Sequence, residues 1–202
     1  PSPDMVVDKY ESATTDLFRQ ILKPGMTVID VGANVGYFSL LAADLVGSSG
    51  TVYAFEPEPE NNTLLLTNIE INSYTNIRAK KVAVSNTCGS TDFFLSELDN
   101  GSHSIYEAGA RGVAATLSVE TTTLDAFVEE EEWPVVDLLK IDVEGAELMV
   151  LEGMELLNKR SNRIRLILEY CPFLIQAAGA SPLELLQKLT SMDFQIRFVD
   201  EK

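Results

Sequence analysis

The sequence has 202 residues, 46% hydrophobic and 23% charged, which suits one soluble domain with a substantial core. Acids outnumber bases 31 to 15, a net charge of -16. Such a surface repels phosphate backbones and anionic bilayers, so neither nucleic acid nor membrane is an expected partner.

In chain order, Asp8 to Leu22 carries Tyr10, Leu17, Phe18, Ile21 and Leu22 along one face and reads as a helix that Lys23-Pro24-Gly25 stops. Residues 1–24 are therefore expected to lead as a helix into the core. Val28 to Val31 reads as a buried strand, followed by a glycine turn and a helix through Val46. Val52 to Phe55 is a second strand, Glu58 to Ile71 a helix opened near Pro59, and Ile77 to Val84 a third strand. Asn86 to Gly112 is the least regular stretch, with a hairpin expected around Thr91 to Leu95. Beyond it, Thr116 to Thr122 reads as extended, Leu124 to Glu132 as a short helix and Val135 to Val143 as a buried strand. Ala146 to Leu157 reads as a helix and Ile164 to Glu169 as a strand. Ser181-Pro182 opens a last helix to Met192, and Phe194 to Val199 has the alternation of a final strand.

Strands alternating with helices predict an α/β domain, a three-layer α/β/α arrangement with a mostly parallel, Rossmann-like sheet. Ligands of such sheets sit at the carboxyl ends of the strands. No apolar run reaches the roughly 18 residues of a membrane span, and no signal peptide is visible. Cys88 and Cys171 form no CxxC pair, and His103 is the single histidine. Neither a zinc site nor a disulfide framework is expected, and a cytoplasmic setting fits reduced cysteines.

The chemistry is expected at three strand ends. After the first strand comes Asp30-Val31-Gly32-Ala33-Asn34-Val35-Gly36, whose glycines permit a tight turn and whose following helix favours a carboxylate at its N-terminus. This is not GxGxxG, and the acid at the strand tip suits a ligand with a free amino group. Glu56 stands twenty residues after Gly36, where an acid accepts hydrogen bonds from ribose hydroxyls. Ser85, after the third strand, stands where it could reach an adenine nitrogen. The third strand end is Lys140 to Glu147. Asp142 and Glu144 stand two apart and project to one side of an extended chain, as a general base, an ammonium partner or ligands of a hard cation. Glu147 reads as a helix-dipole partner. Glu169 adds a third carboxylate, and His103 lies in the loop segment as a base or substrate contact.

Taken together, Val28 to Ser39, Ala54-Phe55-Glu56-Pro57 and Lys140 to Glu147 resemble the FkbM family of class I S-adenosylmethionine-dependent methyltransferases. Asn61, Asn68 and Asn72, and Thr123-Leu124-Asp125, are similar too, so that the likeness runs from Leu22 to Glu169. The resemblance implies that Asp30, Gly32, Asn34, Gly36 and Glu56 contact S-adenosylmethionine, with Ala33, Tyr37, Phe38 and Pro57 beside them. It also implies that Asp142 and Glu144 lie beside the methyl group and the acceptor; His103 and Glu169 are expected, from their own positions, on the substrate side.

The expected function is O-methylation of a small molecule or sugar hydroxyl, with Asp142 as base and Glu144 second. The alternatives are a methyltransferase-like binding module without activity and a nicotinamide-dependent oxidoreductase. A sheet of this class finishes with a sixth strand and an antiparallel seventh. Phe194 to Val199 fits the sixth, so the seventh is expected to be missing or to follow Lys202. The acceptor and the oligomeric state do not follow from the sequence.

Overall fold

The computed structural model describes residues 10–97, 103–107, 110, 112–161 and 163–199. Asp8 and Lys9, Asp99 to Ser102 and Asp200 to Lys202, which enter the expectations above, lie outside the described residues.

Five short strands form one parallel sheet: β1 (Thr27–Val31), β2 (Thr51–Phe55), β3 (Ile77–Lys80), β7 (Leu138–Ile141) and β8 (Arg165–Leu168). Their order is β3-β2-β1-β7-β8, so the chain leaves β1 in one direction and returns to its other side at β7. That reversal opens a crevice at the carboxyl edge. β1 is flanked on both sides, pairing Asp30 with Ala54 of β2 and with Lys140 of β7. A strand buried on both faces reads as a continuous apolar run, which is why Thr27 to Val31 carries a single charge, Asp30.

Period-two alternation divides the core into two faces. Ile29, Val31, Tyr53, Phe55, Leu139 and Ile141 point to one side. They pack there against Leu124 and Phe127 of α4 (Leu124–Glu130), Val150 and Leu151 of α5 (Glu147–Glu152), Leu157 of α6 (Glu155–Arg160), Ile175 of α7 (Pro172–Ala177) and Leu185 of α8 (Pro182–Ser191). Val28, Val52 and Leu138 point to the other, against Phe18 of α1 (Ser12–Ile21) and Phe38, Ala42 and Val46 of α2 (Tyr37–Val46). The connection α3 (Pro59–Ile71) seats Leu65 on Ala33 and Ala54. The α/β/α layering is as the sequence predicts.

A second sheet of three strands, β4 (Ala83–Val84), β6 (Val113–Thr122) and β5 (Gly89–Ser96), stands beside the first. β5 and β6 are antiparallel, with Phe93 opposite Leu117. Thr91 to Leu95, where the sequence predicts a hairpin, instead lies inside the single strand β5, whose antiparallel partner β6 begins beyond Gly112.

Three further expectations need correction. The third strand does not run unbroken to Val84: β3 stops at Lys80, and Ala83–Val84 pairs with β6 of the other sheet. The helix expected from Ala146 to Leu157 is two helices, because Gly153 passes so close to Ser85 that an added Cβ would stand 2.2 Å from its carbonyl oxygen. Phe194 to Val199 forms no strand; Ile196, Phe198 and Val199 are exposed, and the alternation read there as a sheet signal belongs to an irregular segment with Phe198 against Tyr170. Ser181 does open α8 as expected, in a reciprocal capping box with Glu184.

Candidate active site

At the carboxyl edge lies a cavity of about 270 Å³, lined from the turn after β1, the ends of β2, β7 and β8, the segment before and within β4, and Phe93, His103 and Ile105 of the second sheet's side.

The turn after β1 is held by its own chain. Gly32 (φ 80°) and Gly36 (φ 97°) take left-handed conformations, as does Asn34 (φ 50°), one of the residue types that tolerates it. The reason for Gly32 is the neighbouring strand: a Cβ there would stand 1.8 Å from the carbonyl oxygen of Asp142. At Gly36 the obstacle is Leu65 of α3, at 2.5 Å. Both glycines therefore serve chain packing, and Gly36 does not line the cavity. Asn68 completes the brace, its amide donating to the Val35 carbonyl at 2.8 Å.

Glu56 is buried at the tip of β2, and its two oxygens accept from the backbone N–H of Asn34 (2.8 Å) and of Glu58 (2.9 Å). Burial pushes its carboxyl up to about 7, against the two backbone bonds, which favour the carboxylate. Each oxygen retains a lone pair, and the side chain faces the cavity beside Pro57.

Asp30 is more deeply placed than the sequence implies. It is 1% exposed, accepts from Ser39 Oγ at 2.6 Å, and lies 3.7 Å from Lys140 Nζ beneath the cavity rather than on its wall. Lys140 also reaches Asp142 at 3.0 Å and stacks 5.1 Å from the Phe38 ring centroid. Burial lowers its basicity, but the Asp142 and Asp30 charges outweigh this and hold the ammonium above its ordinary range. The acid at the strand tip thus has a built-in cation, to which the sequence reading gave no role. A lone lysine inside an apolar strand is the available signal, because such a charge is seldom buried unless paired.

Asp142, Glu144 and Glu169 line the cavity together. Glu144 takes a left-handed conformation (φ 51°), and its carbonyl accepts from Ser104 Oγ at 2.9 Å, tying the loop to the second sheet. Glu147 is turned inward, accepting from the N–H groups of Gly145 (3.1 Å) and Val143 (3.3 Å) and so fixing the loop. Glu169 is exposed as a residue, yet desolvation of its carboxyl against the cavity wall, then the charges of Asp142, Glu144 and Glu147, push it above the usual carboxylate range. His103 lines the wall, its Nδ1 accepting from the Ser96 N–H at 2.9 Å.

The remaining predicted residues divide. Ala33, Tyr37 and Phe38 line the cavity; Ser85 does not, its hydroxyl lying 3.5 Å from Asn86 Oδ1. Tyr10 and Glu11 do line it. Tyr10 is packed edge-on against Tyr37, with ring centroids 5.2 Å apart, and its carbonyl accepts from Thr15 Oγ1. Nothing local in the sequence marks them, because the contact is made by the fold. Thr123 and Asp125 are helix caps rather than site residues: Thr123 caps α4, and Asp125 accepts from Leu156 and Leu157 at the start of α6.

The Methyltransferase FkbM domain family matches residues 30–196. The chain belongs to the FkbM methyltransferase family. It is 32% identical over 126 residues to the hexuronic acid methyltransferase AglP of Haloferax volcanii, covering 62% of this chain and 48% of that protein. To the 31-O-demethyl-FK506 methyltransferase FkbM of Streptomyces tacrolimicus it is 32% identical over 163 residues, 66% of this chain and 61% of that one. The chain thus spans about half to three-fifths of these curated relatives. Among solved structures, Methyltransferase FkbM from Methylobacillus flagellatus KT shares the fold, with a TM-score of 0.56 at 12% identity over 94% of this chain and 49% of that one. A Streptococcus mutans protein solved in complex with SAH also shares it, with a TM-score of 0.54 at 9% identity over 91% of this chain and 82% of the other.

Proposed function

We propose that this chain is an S-adenosylmethionine-dependent O-methyltransferase that acts on a hydroxyl of a sugar or another small molecule. The observation that carries the reading is Glu56, a buried carboxylate oriented by two backbone N–H groups with lone pairs left toward the cavity. A ribose diol offers two hydroxyl donors to such a group. The rest of the cavity suits the same ligand. Val82, Ala83 and Val84 give an apolar wall for a purine ring. The N-terminus of α2 favours a carboxylate, and the Asp142, Glu144 and Glu169 rim favours ammonium and sulfonium charge.

The cofactor, when bound, supplies a methyl carbon already activated by its sulfonium. What is left to the chain is to align the acceptor hydroxyl with that carbon, exclude water and remove one proton. Asp142 is placed for the last task. It stands at the end of β7 with its N–H on the Val31 carbonyl (3.0 Å) and its side chain held by Lys140, so its orientation is fixed before an acceptor arrives. Glu144 is the second candidate on the same loop. Tyr10, Tyr37 and Phe38 form an aromatic wall beside them, suited to excluding water.

The named relatives are methyltransferases of a hexuronic acid and of 31-O-demethyl-FK506, which supports a hydroxyl acceptor here. The test is release of S-adenosylhomocysteine from S-adenosylmethionine with a panel of hexoses, hexuronates and hydroxylated polyketides. Acceptor-dependent release, lost in Asp142→Asn, supports the reading. Release that Asp142→Asn leaves intact removes Asp142 from the mechanism, and no release with any acceptor counts against the function itself.

A further inference from the structure

His103 is the chain's single histidine, and its hydrogen bond fixes which ring nitrogen carries the hydrogen. Nδ1 accepts from the backbone N–H of Ser96, the last residue of β5, at 2.9 Å. An amide N–H can only donate, so Nδ1 presents a lone pair and the hydrogen of the neutral ring sits on Nε2. The imidazole is thereby a donor at Nε2, with no basic lone pair on that nitrogen. The two roles open to it from the sequence, base and substrate contact, are separated by this one bond.

The ring is also held in place. Its neighbour Ser104 exchanges two backbone hydrogen bonds with Phe94, at 2.7 and 3.1 Å, so the segment runs antiparallel to β5. The buried Ser104 hydroxyl donates to the Glu144 carbonyl at 2.9 Å and accepts from the Tyr106 N–H at 3.1 Å. Period two puts His103 and Ile105 on one side of the segment, and both line the cavity. Phe93 lines it beside them, its ring edge-on to the imidazole with centroids 6.3 Å apart. Of these three wall residues His103 alone has a polar side chain. The Ser104–Glu144 bond draws the wall against the loop that carries Asp142 and Glu144, the acceptor's end of the cavity. An apolar wall with one fixed donor suits a ring that offers both a hydrocarbon face and oxygen lone pairs.

We propose that His103 binds the methyl acceptor as a hydrogen-bond donor, from Nε2 to an oxygen of a sugar or other hydroxylated ring lying on Phe93 and Ile105. It is not the base. The acceptor half of the proposal rests on the methyltransferase reading; the place of the ring hydrogen does not. In the transfer, the acceptor oxygen bonds to the methyl carbon as the carbon–sulfur bond breaks and its electron pair stays on sulfur. The hydroxyl proton passes to the Asp142 carboxylate, and His103 keeps its hydrogen throughout.

A chain with one histidine gives one imidazole in nitrogen NMR, so the signals need no variant to assign them. At about pH 8, above the ordinary imidazole range, the ligand-free chain should show a hydrogen on Nε2 and a bare Nδ1. A hydrogen on Nδ1 would overturn the proposal. S-adenosylhomocysteine is then added, followed by a hexose, a hexuronate or a hydroxylated polyketide. The Nε2 signal should move at the second addition and not at the first. Movement with S-adenosylhomocysteine alone would put His103 in the cofactor's part of the cavity and overturn the acceptor role. So would a signal that no acceptor moves in a chain that binds S-adenosylhomocysteine by calorimetry. Failure to bind S-adenosylhomocysteine at all counts against the methyltransferase reading and removes the acceptor role with it. Two variants read the same bond in S-adenosylhomocysteine release. His103→Asn keeps an acceptor for the Ser96 N–H and loses the donor, whereas His103→Gln returns an amide donor near the Nε2 position. The first should raise the acceptor KM about three- to tenfold, the worth of one neutral hydrogen bond, and the second should recover most of that loss. A fall in kcat of about a hundredfold or more in both variants would mark His103 as the base and overturn the donor role.

Discussion

Glu56 combines two demands that pull in opposite directions. Its backbone bonds favour the carboxylate, while its burial favours the acid, and burial prevails by enough to raise its carboxyl to about 7. The sign for stability follows. Below about 4.5, its ordinary value, the group is protonated both folded and unfolded. As pH rises through 7 the unfolded chain has already ionised, the folded chain does so at a cost, and stability falls. Glu56→Gln should therefore lose less stability than wild type between pH 5 and 8, as measured by denaturant midpoints; identical slopes would mean the side chain is not desolvated. Gly32 is the other residue on which the site turns. Gly32→Ala would place a methyl 1.8 Å from the Asp142 carbonyl at a φ of 80°. Left-handed strain and overpacking together predict a loss of about 3 kcal/mol or more. Urea unfolding would measure it, and a loss below about 1 kcal/mol would contradict the close approach.

At the scale of elements, apolar strands bounded by turn residues were readable, because β1, β2 and β7 are buried on both faces and their sequences carry little else. Breaks inside elements were not. Ile77 to Val84 reads as one strand, yet its two halves pair in different sheets, and only the partner β6 decides that. The turn at Gly153 depends on Ser85, nearly seventy positions away, and no local pattern announces such a contact. Its φ of -83° suits any residue, so Gly153→Ala isolates the steric effect. We expect about 1–3 kcal/mol of destabilisation. A neutral result in thermal melts would show that the α5–α6 turn can shift aside. The site follows the same division. Strand-end acids were legible from position, and so were the turn glycines, although their close approach is to protein. Tyr10 and Glu11 reach the cavity through the packing of α1 on α2, and Asp30 sinks beneath it because Lys140 pairs across the β1–β7 register.

For the molecule as a whole, a net charge of -16 on 202 residues implies self-repulsion that salt relieves. Raising sodium chloride from 0.01 to 0.15 M shortens the screening length from about 30 to about 8 Å. The melting temperature should rise, by about 2–4 °C for each kcal/mol regained. A fall would mean that ion pairs such as Arg78–Glu131 and Lys188–Glu155 outweigh the repulsion. The same excess of acid surrounds the cavity, where it suits a cationic cofactor and opposes a dinucleotide carrying phosphates.

That contrast sets the most direct test, calorimetric titration of the chain with S-adenosylmethionine, S-adenosylhomocysteine and NAD. The account predicts binding of the first two, no binding of NAD, and at least a tenfold loss of affinity for both S-adenosyl ligands in Glu56→Ala, the loss of one or more charge-assisted hydrogen bonds. Binding of NAD in their place, or unchanged S-adenosylhomocysteine affinity in a folded Glu56→Ala, would contradict it.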